Sequence, residues 1–344
     1  MGIRVLALTL GFAAAVLPAS HQVRVRETAG VARENEPVTV TIDGRERTLF
    51  VSIGPHQTRT FDVSEVARHE KVSVQATDPV GFIAENSIFR ADLSKRTVDG
   101  RGEDSGMLRG LTFKPLGVTL RRTQNRMHWA PSFQREGAKG YTSMAMWDPV
   151  QEHRRTESDG MVTFTREGYH TSYPEIGLFA EYRFFPYVPY FLFRATLTVQ
   201  KPIDMFWLRG QEMTMDDLFT HVAWPGPDGK SRVVTFDERK PILGGEPLPA
   251  DVPWVAFLNR DKGYGYGAVI LGFSGTTLTN ASTEIADGAG NGKYWYRQMI
   301  GRKSTPLKPG DRYDERTAYV LFRTLEEFLS WERRLRHPLE IEVK

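Results

Sequence analysis

Apolar and polar residues alternate along much of this chain, and a period of two predicts strands. Residues 38–42 read VTVTI, then comes Asp43-Gly44, then the β-rich run 48–51. An Asp-Gly pair between such runs predicts a hairpin, because the tight turn needs two residues at positive φ. Residues 58–63 and 71–76 continue the pattern, so 21–93 reads as a small β domain. The stretch 94–108, SKRTVDGRGEDSGML, is polar and glycine-rich and predicts a linker or long loop. Strand-like runs return at 160–165, 191–199, 204–208, 316–322 and 338–343, the last placed to close the sheet. Runs 254–258 and 266–273 flank the five-residue loop 259–263 and predict a second hairpin. One segment has helical spacing. Thr324 can cap it, Glu327 stands at the capping-box position, Leu325, Phe328, Leu329 and Leu335 share a face, and Pro338 stops it. The expected fold class is all-β: a small N-terminal β domain, then a large antiparallel β-sandwich over 109–344 with one C-terminal helix.

The first twenty residues break the pattern. Arg4 precedes an uncharged apolar run over 5–17, and Pro18-Ala19-Ser20 supplies small residues for cleavage. This predicts a secretory signal peptide and a secreted or periplasmic protein. No later run approaches the roughly 18 uncharged apolar residues of a membrane span, so none is expected in the mature chain.

Composition then removes whole classes of function. The 344 residues include no cysteine, which excludes a disulfide scaffold, an iron–sulfur site and a thiol nucleophile. Lys plus Arg is 45 against 42 Asp plus Glu, a net charge of +3, so nothing points to nucleic acid as a partner. There is no phosphate-binding loop and no nucleophile elbow. The glycine-rich 263–267, GYGYG, falls in a predicted hairpin without the helix a phosphate loop needs.

Candidate chemistry concentrates in 128–224. Three of the eight histidines stand there beside aromatics, in His128-Trp129, in Gly168-Tyr169-His170-Thr-Ser-Tyr173, and in Glu212 through His221 to Trp224. Histidine moves protons near neutral pH, tyrosine can protonate a leaving oxygen, and arginine can offset a uronate carboxylate. That mixture suits β-elimination, where the carboxylate's charge must be neutralised before the adjacent C–H becomes acidic. The expected catalytic set is His170 or His221 as base, Tyr169 or Tyr173 as acid, and Arg183 on the carboxylate. His128, Trp129, Glu212, Trp224, Tyr294 and Tyr296 are the expected sugar contacts. In the run 293–297, KYWYR, alternation puts Tyr294 and Tyr296 on the face opposite Lys293 and Trp295. Such flat rings with polar tips stack on sugars. The sequence requires no cofactor, although His128, His170, His221 and Glu212 could form a divalent-metal site. The plain alternative is that the rings fill a sandwich core and the histidines are hydrogen-bonded within it.

Residues 23–40, VRVRETAGVARENEPVTV, resemble the N-terminal β-barrel segment of exo-rhamnogalacturonan lyase-like proteins through Glu27, Thr28, Ala29, Gly30, Val31, Arg33, Glu36, Pro37 and Val38. The downstream part resembles the galactose-mutarotase-like sandwich, including the turn 307–311, LKPGD. The helical toroid that follows the sandwich in the long lyases has no counterpart, so no catalytic position carries over. The resemblance implies carbohydrate as substrate class. The expected function is an exported carbohydrate-active enzyme, a lyase cleaving an acidic poly- or oligosaccharide. The alternatives are a sugar epimerase or glycoside hydrolase on the same sandwich, or a non-catalytic glycan-binding accessory protein.

Overall fold

The strands predicted from alternation form, and long-range pairing sorts them into sheets. A computed structural model describes residues 21–63, 71–94, 96–98, 101–103, 106–121, 127–128, 130–147, 151–158, 160–215, 218–236, 248–288 and 292–344. The predicted signal peptide and Trp129 lie outside the described residues. In chain order the strands are β1 (Gln22–Arg26), β2 (Arg33–Ile42), β3 (Arg45–Ile53), β4 (Thr58–Asp62), β5 (Ser73–Ala76), β6 (Phe82–Glu85), β7 (Phe89–Asp92), β8 (Arg96–Val98), β9 (Arg101–Glu103), β10 (Gly110–Phe113), β11 (Val118–Arg121), β12 (Ser132–Arg135), β13 (Thr142–Ser143) and β14 (Glu152–Ser158). They continue with β15 (Met161–His170), β16 (Tyr173–Phe184), β17 (Tyr190–Val199), β18 (Ile203–Met215), β19 (His221–Pro225), β20 (Ser231–Thr235), β21 (Trp254–Asn259), β22 (Tyr264–Gly275), β23 (Ser282–Gly288), β24 (Gly292–Ile300), β25 (Thr305–Leu307), β26 (Arg312–Phe322) and β27 (Glu340–Val343). The helix α1 runs Leu325–Arg336.

Two large antiparallel sheets make the sandwich. One has nine strands in the order β14-β15-β16-β17-β26-β22-β21-β19-β20, and the other runs β13-β12-β18-β24-β23 with β25 paired to β18. Their inner faces meet in one core, with Tyr182, Phe193, Tyr266 and Tyr319 from the first sheet and Leu208, Met213, Trp295 and Met299 from the second. The fold is all-β with antiparallel sheets, as expected.

The helix forms as the caps predict. The Thr324 hydroxyl accepts from the Glu327 amide at 3.2 Å, and the Glu327 carboxylate accepts from the Arg323 amide at 2.8 Å. Phe328, joined by Leu325, Leu329, Trp331 and Leu335, packs on the outer face of the nine-stranded sheet over Ala318, Val320 and Phe322. Two glycines of the GYGYG run make that approach possible. A Cβ on Gly265 would fall 2.1 Å from the Phe322 ring, and one on Gly267 would fall 2.5 Å from the Phe328 ring. Gly263 is in the hairpin turn at φ +64, so the run serves a turn and two close ring contacts.

The expected domain arrangement changes in detail. β5, β6 and β7 share a five-stranded sheet with β10 and β11, so strands on both sides of 94–108 belong together. Within that stretch β8 and β9 form a hairpin, and Met107 and Leu108 are fully buried in the sandwich core. A polar, glycine-rich stretch is equally suited to a turn, and only pairing across the chain distinguishes the two. The separate small core instead combines Val23, Val25, Val38, Val40, Leu49 and Val51 with Leu339, because β27 pairs with β1 rather than with the sandwich.

The string at 23–40 holds this unit to the helix. Arg33, fully buried, donates to Glu36 at 2.7 Å and Glu27 at 3.3 Å, and to the carbonyls of Arg334 and His337 at the C-terminal end of α1. Glu27 accepts from the amides of Ala29, Gly30 and His56. Burial opposes its charge, yet these amides and Arg33 hold its pKa at about 2.

Candidate functional site

The outer face of the six-stranded sheet collects the aromatic and polar side chains best suited to a ligand. Cross-strand pairing sets it up: Arg209 stands opposite Gln298, Glu284 opposite Tyr296, and Ser282 opposite Gln298. Alternation then sends Leu208, Ile285, Trp295 and Met299 inward to the core. Arg209 lies between two rings, its guanidinium carbon 4.3 Å from the Trp207 centroid and 3.4 Å from that of Tyr296. Tyr294 stacks on Tyr296 at 5.8 Å and 11°, and the half-exposed Tyr141 meets Trp207 edge-on at 5.2 Å.

A hydrogen-bonded chain borders the rings. The Trp207 indole donates to Gln298 at 2.7 Å, Gln298 donates to the Ser282 hydroxyl at 3.3 Å, and Ser282 donates to Glu284 at 3.2 Å. The Tyr296 hydroxyl donates to the other oxygen of Glu284. Burial and this carboxylate raise the Tyr296 pKa, so its proton stays on oxygen at neutral pH. Among the described residues no carboxylate or carbonyl pairs with Arg209, and its Nε is buried without a hydrogen bond. A cation held by π-faces in this way keeps its terminal N–H groups for an incoming anion.

Tyr294 and Tyr296, expected from the sequence as sugar contacts, belong to this face. Of the other expected residues, Glu212 stands opposite Tyr296 on β18 but is buried, and the rest are distributed elsewhere. His128 is 1% exposed in the sandwich core, its ring nitrogens each 3.1 Å from the Tyr182 and Tyr266 hydroxyls. Burial lowers its pKa to about 3, so it is neutral and occupied rather than poised at a surface. His170 fixes the β15–β16 turn. Its Nδ1 accepts from the Ser172 amide at 3.1 Å, which leaves Nε2 as donor to the Thr142 hydroxyl at 2.8 Å. Burial lowers its pKa to about 4, and both nitrogens are engaged, so a base role would cost it the turn. Tyr173 is buried beside it under the Arg135 guanidinium, while Tyr169 is exposed.

Arg183 lies ten residues along β16 from Tyr173, roughly 33 Å at strand rise. It is paired to Glu181 at 2.8 Å, with Glu46 at 3.7 Å. His221 is on β19, five strand spacings from β16 or about 24 Å. Its Nδ1 meets the Thr220 hydroxyl at 2.8 Å, and burial followed by Arg260 lowers its pKa. The expected catalytic set therefore does not converge. Trp224 fills the core. Among the described residues no group of three or more His, Asp or Glu side chains could hold a metal ion, so the expected His128, His170, His221 and Glu212 set is not assembled.

Sequence reasoning missed Trp207, Arg209, Tyr141, Glu284 and Gln298. Trp207 and Arg209 were findable, since they stand two apart on a segment already read as a strand to residue 208. Their meeting with Tyr296 depends on the pairing of β18 with β24.

No family model matches the chain, and no curated protein matches it. Solved structures do. An alpha-mannosidase from Enterococcus faecalis V583 superposes over 94% of this chain and 46% of its own, with a TM-score of 0.57 and 10% identity. A protein in glycosyl hydrolase family 38 from Enterococcus faecalis covers 96% of this chain and 48% of its own, at 0.55 and 8%. The chain thus spans about half the length of these structures, with which it shares a fold. A galactose mutarotase-like protein from Lactobacillus casei ATCC 334 aligns over 70% of this chain and 99% of its own, at a TM-score of 0.39 and 10% identity.

Proposed function

We propose that this chain recognises an acidic saccharide on the Trp207–Arg209–Tyr296 face. The observation that carries the reading is the Arg209 guanidinium, stacked between two rings and paired with no carboxylate among the described residues. Trp207 and Tyr296 are buried around Arg209, Tyr294 and Tyr141 are the rings a sugar can reach, and Gln298, Ser282 and Glu284 offer donors and acceptors to hydroxyls. The names of the two structures that share the fold, a mannosidase and a glycosyl hydrolase family 38 protein, agree with a sugar ligand. The leader expected at 1–20 would deliver the chain to a compartment where such polymers are met.

The finer reading is a lyase. In β-elimination a base removes the proton beside the carboxylate, the electron pair forms a carbon–carbon double bond, and the glycosidic oxygen leaves with a proton. On this face Arg209 would offset the carboxylate, Glu284 would take the proton and Tyr296 would supply one to the leaving oxygen. His170 has both ring nitrogens engaged and His221 lies on the other sheet, so neither is given a part.

Titration of a uronate oligosaccharide panel, followed by tryptophan fluorescence, tests recognition. Arg209→Gln is expected to weaken binding roughly ten- to a hundredfold, the worth of a charge-assisted hydrogen bond. Equal binding by Arg209→Gln, or none by the natural sequence, would refute the reading. Ultraviolet-absorbing unsaturated products support the lyase. Binding without them leaves a glycan-binding protein.

A further inference from the structure

We infer that a trough on the opposite side of the sandwich is a second binding site for acidic saccharides. It takes its ligand class from the proposed reading of the six-stranded face but is built from different residues. The hollow, about 410 Å³, lies on the outer face of the nine-stranded sheet and is lined by residues of β15, β16, β17 and β26 with Gln200. That volume falls within the range of small-ligand sites.

Its position follows from β26. On the outer face this strand shows Ala318, Val320 and Phe322 beneath α1, then Arg316, Asp314 and Arg312 beyond the helix. The same row of positions changes from apolar to charged where its cover ends. Gly177 leaves the floor low, and a Cβ there would fall 2.7 Å from the Gln200 amide. Phe179 supplies an apolar surface, with the Arg194 guanidinium 5.7 Å from its ring centroid.

Charge in the trough is unbalanced. Asp314 accepts from Arg312 at 2.8 Å and from the Thr196 hydroxyl at 2.7 Å, and stands 3.9 Å from Arg194. One carboxylate thus serves two arginines. A third, the exposed Arg316, stands directly opposite Arg194 across the β17–β26 pair, where like charges repel. The other cross-strand neighbour of Arg194 is Glu181, whose carboxylate is already taken by Arg183. A carboxylate seated between Arg194 and Arg312 would relieve this excess. Glu167 on the far wall would accept from the hydroxyls of the same sugar, which gives the ligand a direction.

Calorimetric titration of the full chain with an oligogalacturonate tests the site, with its methyl ester as the neutral control. The natural sequence is expected to show two sites. Arg194→Gln, or Arg194→Gln with Arg312→Gln, should weaken one of them at least tenfold and leave the Arg209-dependent one unchanged. The single variant guards against misfolding of the double, because Arg194 makes only surface contacts. If Arg209→Gln abolishes all binding, or the ester binds equally to the trough, the inference is overturned. If Arg209→Gln changes nothing while Arg194→Gln removes binding, the trough stands and the proposed role of the six-stranded face falls.

Discussion

Histidine 128 gives a prediction whose size can be worked out. Its ring sits in the core, 1% exposed, between the Tyr182 and Tyr266 hydroxyls, with a pKa lowered by burial to about 3. An unfolded histidine titrates near 6.5. A depressed histidine contributes its full stability above the unfolded value and loses it as pH falls toward the folded one. Between pH 7.5 and pH 4.5 the unfolded chain therefore takes up one proton here that the folded chain refuses. The loss approaches 1.4 kcal/mol per pH unit below 6.5, about 2.7 kcal/mol by pH 4.5. His128→Phe keeps a ring in the core and removes this titration. It also removes two hydrogen bonds, so at pH 7.5 the variant should be about 1 to 3 kcal/mol less stable. At pH 4.5 that deficit should shrink by about 2.7 kcal/mol. Urea unfolding of both proteins at both pH values measures the double difference, in which other acid-sensitive groups such as His170 and Glu27 cancel. A deficit that stays constant between the two pH values would show that His128 titrates alike folded and unfolded, and would refute its burial.

Glu27→Gln should destabilise the chain by about 3 to 5 kcal/mol in urea unfolding, because it uncouples a buried ion cluster around Arg33. The natural sequence should also lose about 3 kcal/mol as pH falls from 4.5 to 2, since the folded Glu27 pKa is depressed to about 2, and Glu27→Gln should lack that loss. Gly267→Ala puts a Cβ 2.5 Å from the Phe328 ring and should cost about 1 to 3 kcal/mol, read as a lowered melting temperature. Thr324→Ala removes the α1 cap and should cost about 1 kcal/mol by the same measurement. Arg183→Gln, which breaks a pair with Glu181 on the other sheet, should leave the Arg209-dependent site unchanged in the titration that Arg209→Gln weakens.

Local signals were legible wherever their cause was local. The Asp43-Gly44 turn, the Thr324 and Glu327 caps and the face of α1 all form as the sequence predicts, because each depends on residues within one turn or one helix. The same holds for Tyr294 and Tyr296, which alternation alone places on one face of a strand. Proximity in sequence misled at the histidines. His128, His170 and His221 fall within one hundred residues beside aromatics, yet His128 ends in the core, His170 at a hairpin turn and His221 on a strand five spacings from β16.

The sequence by itself determined the class of fold, the hairpins, the single helix, and which residues of each strand face together. It also fixed the chemistry on offer, with no thiol, little net charge and many rings. Tertiary structure decided which strands become neighbours, and with that every site. Arg209 meets Tyr296 across 86 intervening residues of chain, and Arg194 meets Asp314 across 119, because β18 pairs with β24 and β17 with β26. An alternating strand states which side it will bury but not which partner it will bury it beside. Pairing is chosen by the summed packing of whole sheets, and no local run of residues carries that sum.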